Sequence, residues 1–225
     1  LQTLSDLLKQ NYPDFDIIAV DQTEKPPSKL LDLIKKNQEK IKYIHIKQKS
    51  SPYARNVGVK NCRSEIILFL DDDVRIKDPD FIKYHLDNYT DKEIGLVGGA
   101  VVDDFSNQRS YKEIGRLKYF ALKELTQKGL IDHAPGGNFS CYRAIFNQVG
   151  GFKELYKGNA HMEETDFCLR VKRAGYKLIF EPKAVILHLQ YKIGGNRTKD
   201  IYEFRYWLVH NSTVFYLKNY PKILF

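Results

Sequence analysis

With 225 residues, 43% of them hydrophobic, the chain can bury a sizeable core, which excludes an intrinsically disordered class and suits one large domain. The 36 Lys and Arg residues against 28 Asp and Glu leave a net charge of +8, a field that attracts phosphates, nucleotides or anionic headgroups; no basic cluster or nucleic-acid module accompanies it. Cys62, Cys141 and Cys168 are odd in number and lack CxxC spacing, which excludes a disulfide framework and a zinc site and points to a reducing cytoplasm.

In chain order, Leu4, Leu7 and Leu8 share one face of an opening helix. Short apolar runs at 15–20, 43–46, 65–70 and 94–102 read as strands, with amphipathic helices near 27–39, 53–62 and 79–90 between them. That alternation predicts an α/β fold with a largely parallel sheet, and the unbroken run Ile66–Leu70 fits a strand buried on both faces. Beyond Val102 the pattern predicts a polar, aromatic helix over about 109–127. A Pro135-Gly136-Gly137 turn, a strand over 138–142, a helix over 162–174, strands over 177–181 and 185–189 and an aromatic helix over 200–218 follow. The longest strongly apolar run is far short of the roughly 20 residues that cross a bilayer.

Asp71-Asp72-Asp73 directly follows the most hydrophobic strand, at the edge where open α/β sheets bind ligands. Three crowded carboxylates repel one another unless a cation neutralises them, and hard oxygen ligands suit Mg²⁺ or Mn²⁺. Strand alternation sends Asp71 and Asp73 to one side and Asp72 to the other. A solvated acidic turn is the competing reading. Arg55, in a helix opened by Ser51-Pro52, can meet a phosphate or an acidic side chain bidentately.

In the helix beginning near His161, Glu164, Phe167, Cys168 and Val171 fall at i, i+3, i+4 and i+7, which puts Glu164 at the head of the core face. Glu163, with Asp166, Arg170 and Arg173, is expected on the polar side, facing solvent or orienting a neighbour. A partly desolvated Glu164 can act as a general base; the alternative is that both glutamates complement the positive helix end. His188 closes a strand, where it supplies a metal ligand, contacts a phosphate, or is merely hydrogen-bonded.

Taken in order, these segments resemble the inverting family 2 glycosyltransferases of GT-A fold, a Rossmann-like mixed sheet flanked by helices. "LLKQNYPDFDIIAVDQT" is similar to the family's first helix and second strand, and "SPYARNVGVKNCRSEIILFLDDDV" to its Ala-Arg-Asn helix and metal-binding Asp-x-Asp motif. "GGNFSCYRAIFNQVGGF" is similar to the acceptor-side segment, and "EETDFCLRVKRAGYKLIFEPKAVILH" to the catalytic-base helix and a strand bearing a histidine. The resemblance implies a single domain with a donor-binding half over 1–102 and an acceptor and base half over 103–225. It implies Mn²⁺ or Mg²⁺ on Asp71, Asp73 and His188, and donor contacts from Asp21, Gln22, Arg55, Asp71, Asp72, Gly136, Gly137 and Asn138. Glu164 stands as base, with Glu163 and Asn138 on the acceptor side. The implied reaction moves a sugar from a nucleotide-diphosphate donor to a glycan or lipid-linked hydroxyl, with inversion, in surface polysaccharide, lipopolysaccharide or glycoconjugate synthesis. A non-catalytic nucleotide-sugar or glycan-binding module on the same fold is the alternative.

Three departures from the family follow. Glu164 is longer than the usual Asp, and Asp21-Gln22 stands where many relatives carry a second acidic residue, so UDP is not implied. The family's first strand is absent ahead of Leu1, which predicts a fragment destabilised in isolation. The aromatic helix near the end, with Arg205 and Lys218, either packs over the core or lies peripherally on the inner face of the membrane.

Overall fold

The computed structural model describes residues 1–102, 115–118, 121–124, 127–189 and 200–220. In chain order its elements are α1 (Gln2–Leu7), β1 (Ile17–Asp21), α2 (Ser28–Lys36), β2 (Ile41–His45), α3 (Ser51–Lys60), β3 (Ile66–Leu70), β4 (Val74–Arg75), α4 (Phe81–Leu86), β5 (Ile94–Val102), β6 (Gly115–Lys118), β7 (Ala121–Glu124), β8 (Gly129–Leu130), β9 (Asn138–Tyr142), α5 (Arg143–Gln148), α6 (Glu163–Arg173), β10 (Lys177–His188) and α7 (Ile201–Asn219). They gather into two compact units. One comprises Leu1–Phe15, Ser64–Val149 and Cys168–Gln190; the other comprises Asp16–Arg63, Gly150–Phe167 and Tyr191–Phe225.

The first unit is built on a mixed sheet of order β3-β9-β5-β10-β4, with β8 also on β10. Strand β9 runs antiparallel to both β3 and β5, whereas β10 is parallel to β5. Its core collects Leu96, Val97, Phe139, Phe180 and Ile186, all buried, and Phe69 stacks on Phe139 at 4.8 Å and on Phe146 at 5.8 Å. Such aromatic pairs add about 0.5–1.5 kcal/mol each beyond the area they bury. The two strands expected over 177–181 and 185–189 run as one, because a register shift between Glu181 and Val185 absorbs the irregular residues instead of ending the pairing. This continuity carries the chain to His188. There Leu187 and His188 pair antiparallel with Arg75 and Val74 of β4, and the Leu189 N–H donates to the Asp73 carbonyl at 2.9 Å. A two-residue strand that local pattern did not reveal thus folds the end of the acidic triplet back onto the end of β10.

The helix expected over 109–127 is corrected where the structure describes it: β6 and β7 pair antiparallel, with Leu117 opposite Leu122 in register. Gly115 disfavours a helix, and cross-strand pairing of these two short runs takes its place. Residues 109–114, 119–120 and 125–126 of that expectation lie outside the described residues.

In the second unit, β1 and β2 pair in parallel from Ile17 with Ile41 to Asp21 with His45. Helix α3 is capped by Ser50, whose hydroxyl accepts the Tyr53 N–H at 3.4 Å, with Pro52 in the first turn, where its missing N–H leaves no bond unmade. Helix α7 turns Asn211, Phe215 and Asn219 inward at i, i+4 and i+8. Its other side exposes Tyr202, Tyr206, Val209 and Leu217.

Candidate functional site

In the first unit, β3 delivers Asp71–Asp73 from its carboxyl end, and α1 clasps the chain that follows. Thr3, buried, shares its hydroxyl hydrogen between the Asp72 and Val74 carbonyls, at 2.8 Å from each. Asp6 accepts from the Arg75 guanidinium at 2.6 Å and from the Ile76 N–H at 3.1 Å. Burial would raise the Asp6 pKa, but these hydrogen bonds and the Arg75 charge hold it below the usual carboxylate range.

On this fixed loop Asp73 is buried, Asp71 half-buried and Asp72 exposed. One ligand atom each from Asp71, Asp73 and His188 lies within 4.8 Å of the other two, and His188 Nε2 stands 3.2 Å from Asp73 Oδ1. Ligands on an octahedral ion at about 2.1 Å are separated by about 3.0 Å when adjacent and about 4.2 Å when opposite. The observed spread exceeds this by an amount side-chain rotation can close, so two carboxylates and an imidazole form a donor set a divalent cation fits. Desolvation first, then the Asp73 and Asp71 charges, raise the Asp72 pKa.

Asp71 leans on the backbone of Gly137: its N–H points at the Gly137 carbonyl at 3.4 Å, and a Cβ on Gly137 would lie 2.6 Å from Asp71 Cγ. The close approach this glycine permits is therefore to Asp71. Gly136 is buried beside it. The Asn138 side chain is fully buried, with both amide hydrogens on carbonyls of Ala100 and Ala184 at 2.9 Å and its oxygen toward His85 Nε2 at 3.0 Å. Against the expected donor and acceptor contact at Asn138, the residue is wholly buried and the sheet consumes both of its amide hydrogens.

In the second unit, Asp21 at the end of β1 takes the Thr23 N–H at 2.7 Å and the Tyr43 hydroxyl at 2.8 Å. Desolvation acts to raise its pKa, but the Thr23 and Tyr43 hydrogen bonds outweigh it and hold the carboxyl low; burial and the Asp21 charge push Tyr43 up to about 12. The Gln22 oxygen accepts the Ser50 N–H at 2.5 Å, which fixes its amide orientation.

The glutamate pair differs from expectation. Glu163 is the buried one, ion-paired with Arg55, whose guanidinium also lies 5.2 Å from the Phe152 ring centre; Glu164 is half-buried. Asp166, also expected on a polar face, is fully buried, with Asn219 donating to it at 3.1 Å and the Lys218 ammonium at 3.5 Å. The cause is α7, which covers the face that local periodicity assigns to solvent. The chain enters α6 through left-handed backbone at Gly158, Ala160 and Met162, with φ of 58°, 55° and 74°. Two of these are not glycine, a strain of order 1 kcal/mol or more each. Asn211, fully buried, holds the loop by accepting the Lys157 N–H at 3.1 Å and donating to its carbonyl at 2.8 Å.

Solved structures with this fold are GT-A glycosyltransferases. A mannosyltransferase from Pyrobaculum calidifontis, solved with GDP-Man and Mn²⁺, superposes with a TM-score of 0.69 at 17% identity, over 96% of this chain and 58% of that one. TarS from S. aureus, solved with UDP-GlcNAc, gives 0.64 at 17% identity, over 92% and 61%. The model of the family described as Glycosyl transferase family 2 matches residues 1–150, and the chain belongs to that family. Pre-mycofactocin glycosyltransferase of Mycobacterium tuberculosis is 24% identical over 181 residues, which is 76% of this chain. The chain spans 37% of that relative's length.

Proposed function

We propose that this protein transfers a sugar from a nucleotide-diphosphate donor to a hydroxyl of a glycan or lipid-linked acceptor, with inversion and in the presence of Mn²⁺ or Mg²⁺. The observation that carries the reading is the convergence of Asp71, Asp73 and His188. Those three side chains hold the cation; the imidazole favours Mn²⁺ over Mg²⁺. Bound there, the ion offsets the negative charge of the donor diphosphate. Asp71, beside the cation, and the exposed Asp72 both meet the donor, with Gly136 and Gly137 as close backbone. Asp21 and Gln22 meet the nucleoside, and because the Gln22 oxygen faces Ser50, its amide nitrogen is the group it offers a base. Glu164 takes the proton of the acceptor hydroxyl as its oxygen attacks the anomeric carbon, and a single displacement inverts configuration. Glu163 and Arg55 act as a pair: the guanidinium fixes the first turn of α6, from which Glu164 projects.

Support also comes from family membership and from neighbours solved with GDP-Man and Mn²⁺ or with UDP-GlcNAc. The product we favour is a surface polysaccharide, lipopolysaccharide or other glycoconjugate. No helix among the described residues is long and apolar enough to cross a membrane. The exposed stripe of Tyr202, Tyr206, Val209 and Leu217 suits a peripheral contact with the inner membrane face when the acceptor is lipid-linked.

The test is donor hydrolysis or transfer with and without Mn²⁺. Activity is expected to vanish in Asp73→Ala, and full turnover in that variant defeats the reading. Glu164→Gln separates an enzyme from a binding module on the same fold: turnover falls by at least about a hundredfold for a general base, with donor affinity kept. Proton NMR of the anomeric signal reads inversion. Liposome co-sedimentation that is unchanged when Tyr202, Tyr206 and Val209 become Ser removes the membrane contact.

A further inference from the structure

The buried network behind Asp71 is larger than the sheet needs. Both Asn138 amide hydrogens go to carbonyls, so its oxygen must accept from His85 Nε2–H. That fixes the histidine tautomer, and Nδ1 accepts from the Ser140 hydroxyl at 3.1 Å, with the Tyr89 hydroxyl 2.8 Å from Ser140 in turn. His85, Asn138 and Ser140 are all essentially inaccessible to solvent. The Asn138 N–H closes a turn onto the Pro135 carbonyl at 3.1 Å, which makes Gly136 and Gly137 the central residues of that turn. Two glycines make room for the arrangement. A Cβ on Gly99 would lie 2.7 Å from Asn138 Cγ, and one on Gly137 would strike the Asp71 carboxylate. The sequence thus carves space for one side chain that anchors the turn and for another that rests on it.

We propose that Asn138, held by His85, is a positioning residue for Asp71: it locks the Pro135–Asn138 turn so that Gly137 forms a backstop setting where the Asp71 carboxylate points. The inference rests on the reading of Asp71 as a cation ligand. It separates the residues that touch the ion from a second group, remote in sequence, that determines whether the first can converge.

Mn²⁺ binding to the full chain, measured by electron paramagnetic resonance of the free ion and by the Mn²⁺-induced rise in Tm, tests this without any assay of turnover. Asn138→Ser removes the anchor. His85→Leu removes the donor to the Asn138 oxygen from α4 without approaching Asp71, so a folding failure of the first variant leaves the second informative. Both are expected to weaken Mn²⁺ binding at least about tenfold and to shrink the Tm rise, as Asp71→Asn does more severely. Wild-type Mn²⁺ affinity in folded Asn138→Ser or His85→Leu, with binding lost in Asp71→Asn, overturns the positioning role and spares the ligand role. Wild-type affinity in Asp71→Asn overturns both.

Discussion

Two acidic clusters in this chain start from similar composition and are resolved in opposite ways. In the second unit, Glu163 and Asp166 are buried against Arg55, Lys218 and Asn219, so the protein supplies its own counter-charge. In the first unit, Asp71 and Asp73 converge with His188, whose imidazole can serve as a third metal donor. The contrast teaches that a count of carboxylates does not identify a cation site. What distinguishes one is whether the fold gathers the carboxylates around a further metal-ligating donor.

The largest expected effect lies in the self-neutralised cluster. Arg55→Met leaves Glu163 buried without its guanidinium, and loss of one member of a buried pair costs about 3–5 kcal/mol. Urea unfolding is expected to show this, with Arg55→Met/Glu163→Leu recovering most of it; equal stability of the wild type and Arg55→Met breaks the comparison.

Next comes the brace behind the other cluster. Burial pushes the His85 pKa down to about 4, with its hydrogen bond to Asn138 opposing. Below about pH 6.5 the unfolded chain takes up a proton that the folded chain refuses, so stability falls as pH drops from about 6.5 to about 4, by about 1.4 kcal/mol per unit and about 3 kcal/mol in total. Stability curves measured between pH 7 and 4 should be flatter by that amount in His85→Phe, after allowance for its lower starting stability.

Third, Mn²⁺ at a hundred times its dissociation constant should stabilise the wild type by about 2.7 kcal/mol and Asp73→Asn by almost none. The smallest effect has the opposite sign to the first. Without metal, Asp71→Asn relieves repulsion and should be as stable as the wild type or about 1 kcal/mol more so. A clear loss instead would show that Asp71 serves the apo fold, which sharpens the difference between the two clusters.

Much of the scaffold was legible in the sequence. Strands β3, β5 and β9 lie within a residue of where apolar runs placed them; β5 and β9 are buried on both sides, whereas β3, at the end of the sheet order, alternates buried Ile67 and Phe69 with half-buried Ile66, Leu68 and Leu70, so its unbroken apolar run does not mark two buried faces. The alternation that separated Asp72 from Asp71 and Asp73 is geometric and needs only the strand before it. The face of α6 was misread for the converse reason. The burial of Asp166 depends on α7, beginning nearly thirty residues beyond the end of α6, while Lys172 and Arg173 keep the exposure that periodicity gives the polar side. Asn138 was misassigned because a polar residue beside glycines looks like ligand machinery, and nothing local announces His85, 53 positions away. At Gly115–Lys118 and Ala121–Glu124 a helical period gives way to cross-strand register, which local pattern does not show.

Trp207 is the single tryptophan of the chain, and a Cβ on Gly158 would fall within its indole. Intrinsic fluorescence therefore reports on one place: the approach to α6. A red shift or quenching change during acceptor titration would read out movement of that approach in real time, with no label attached.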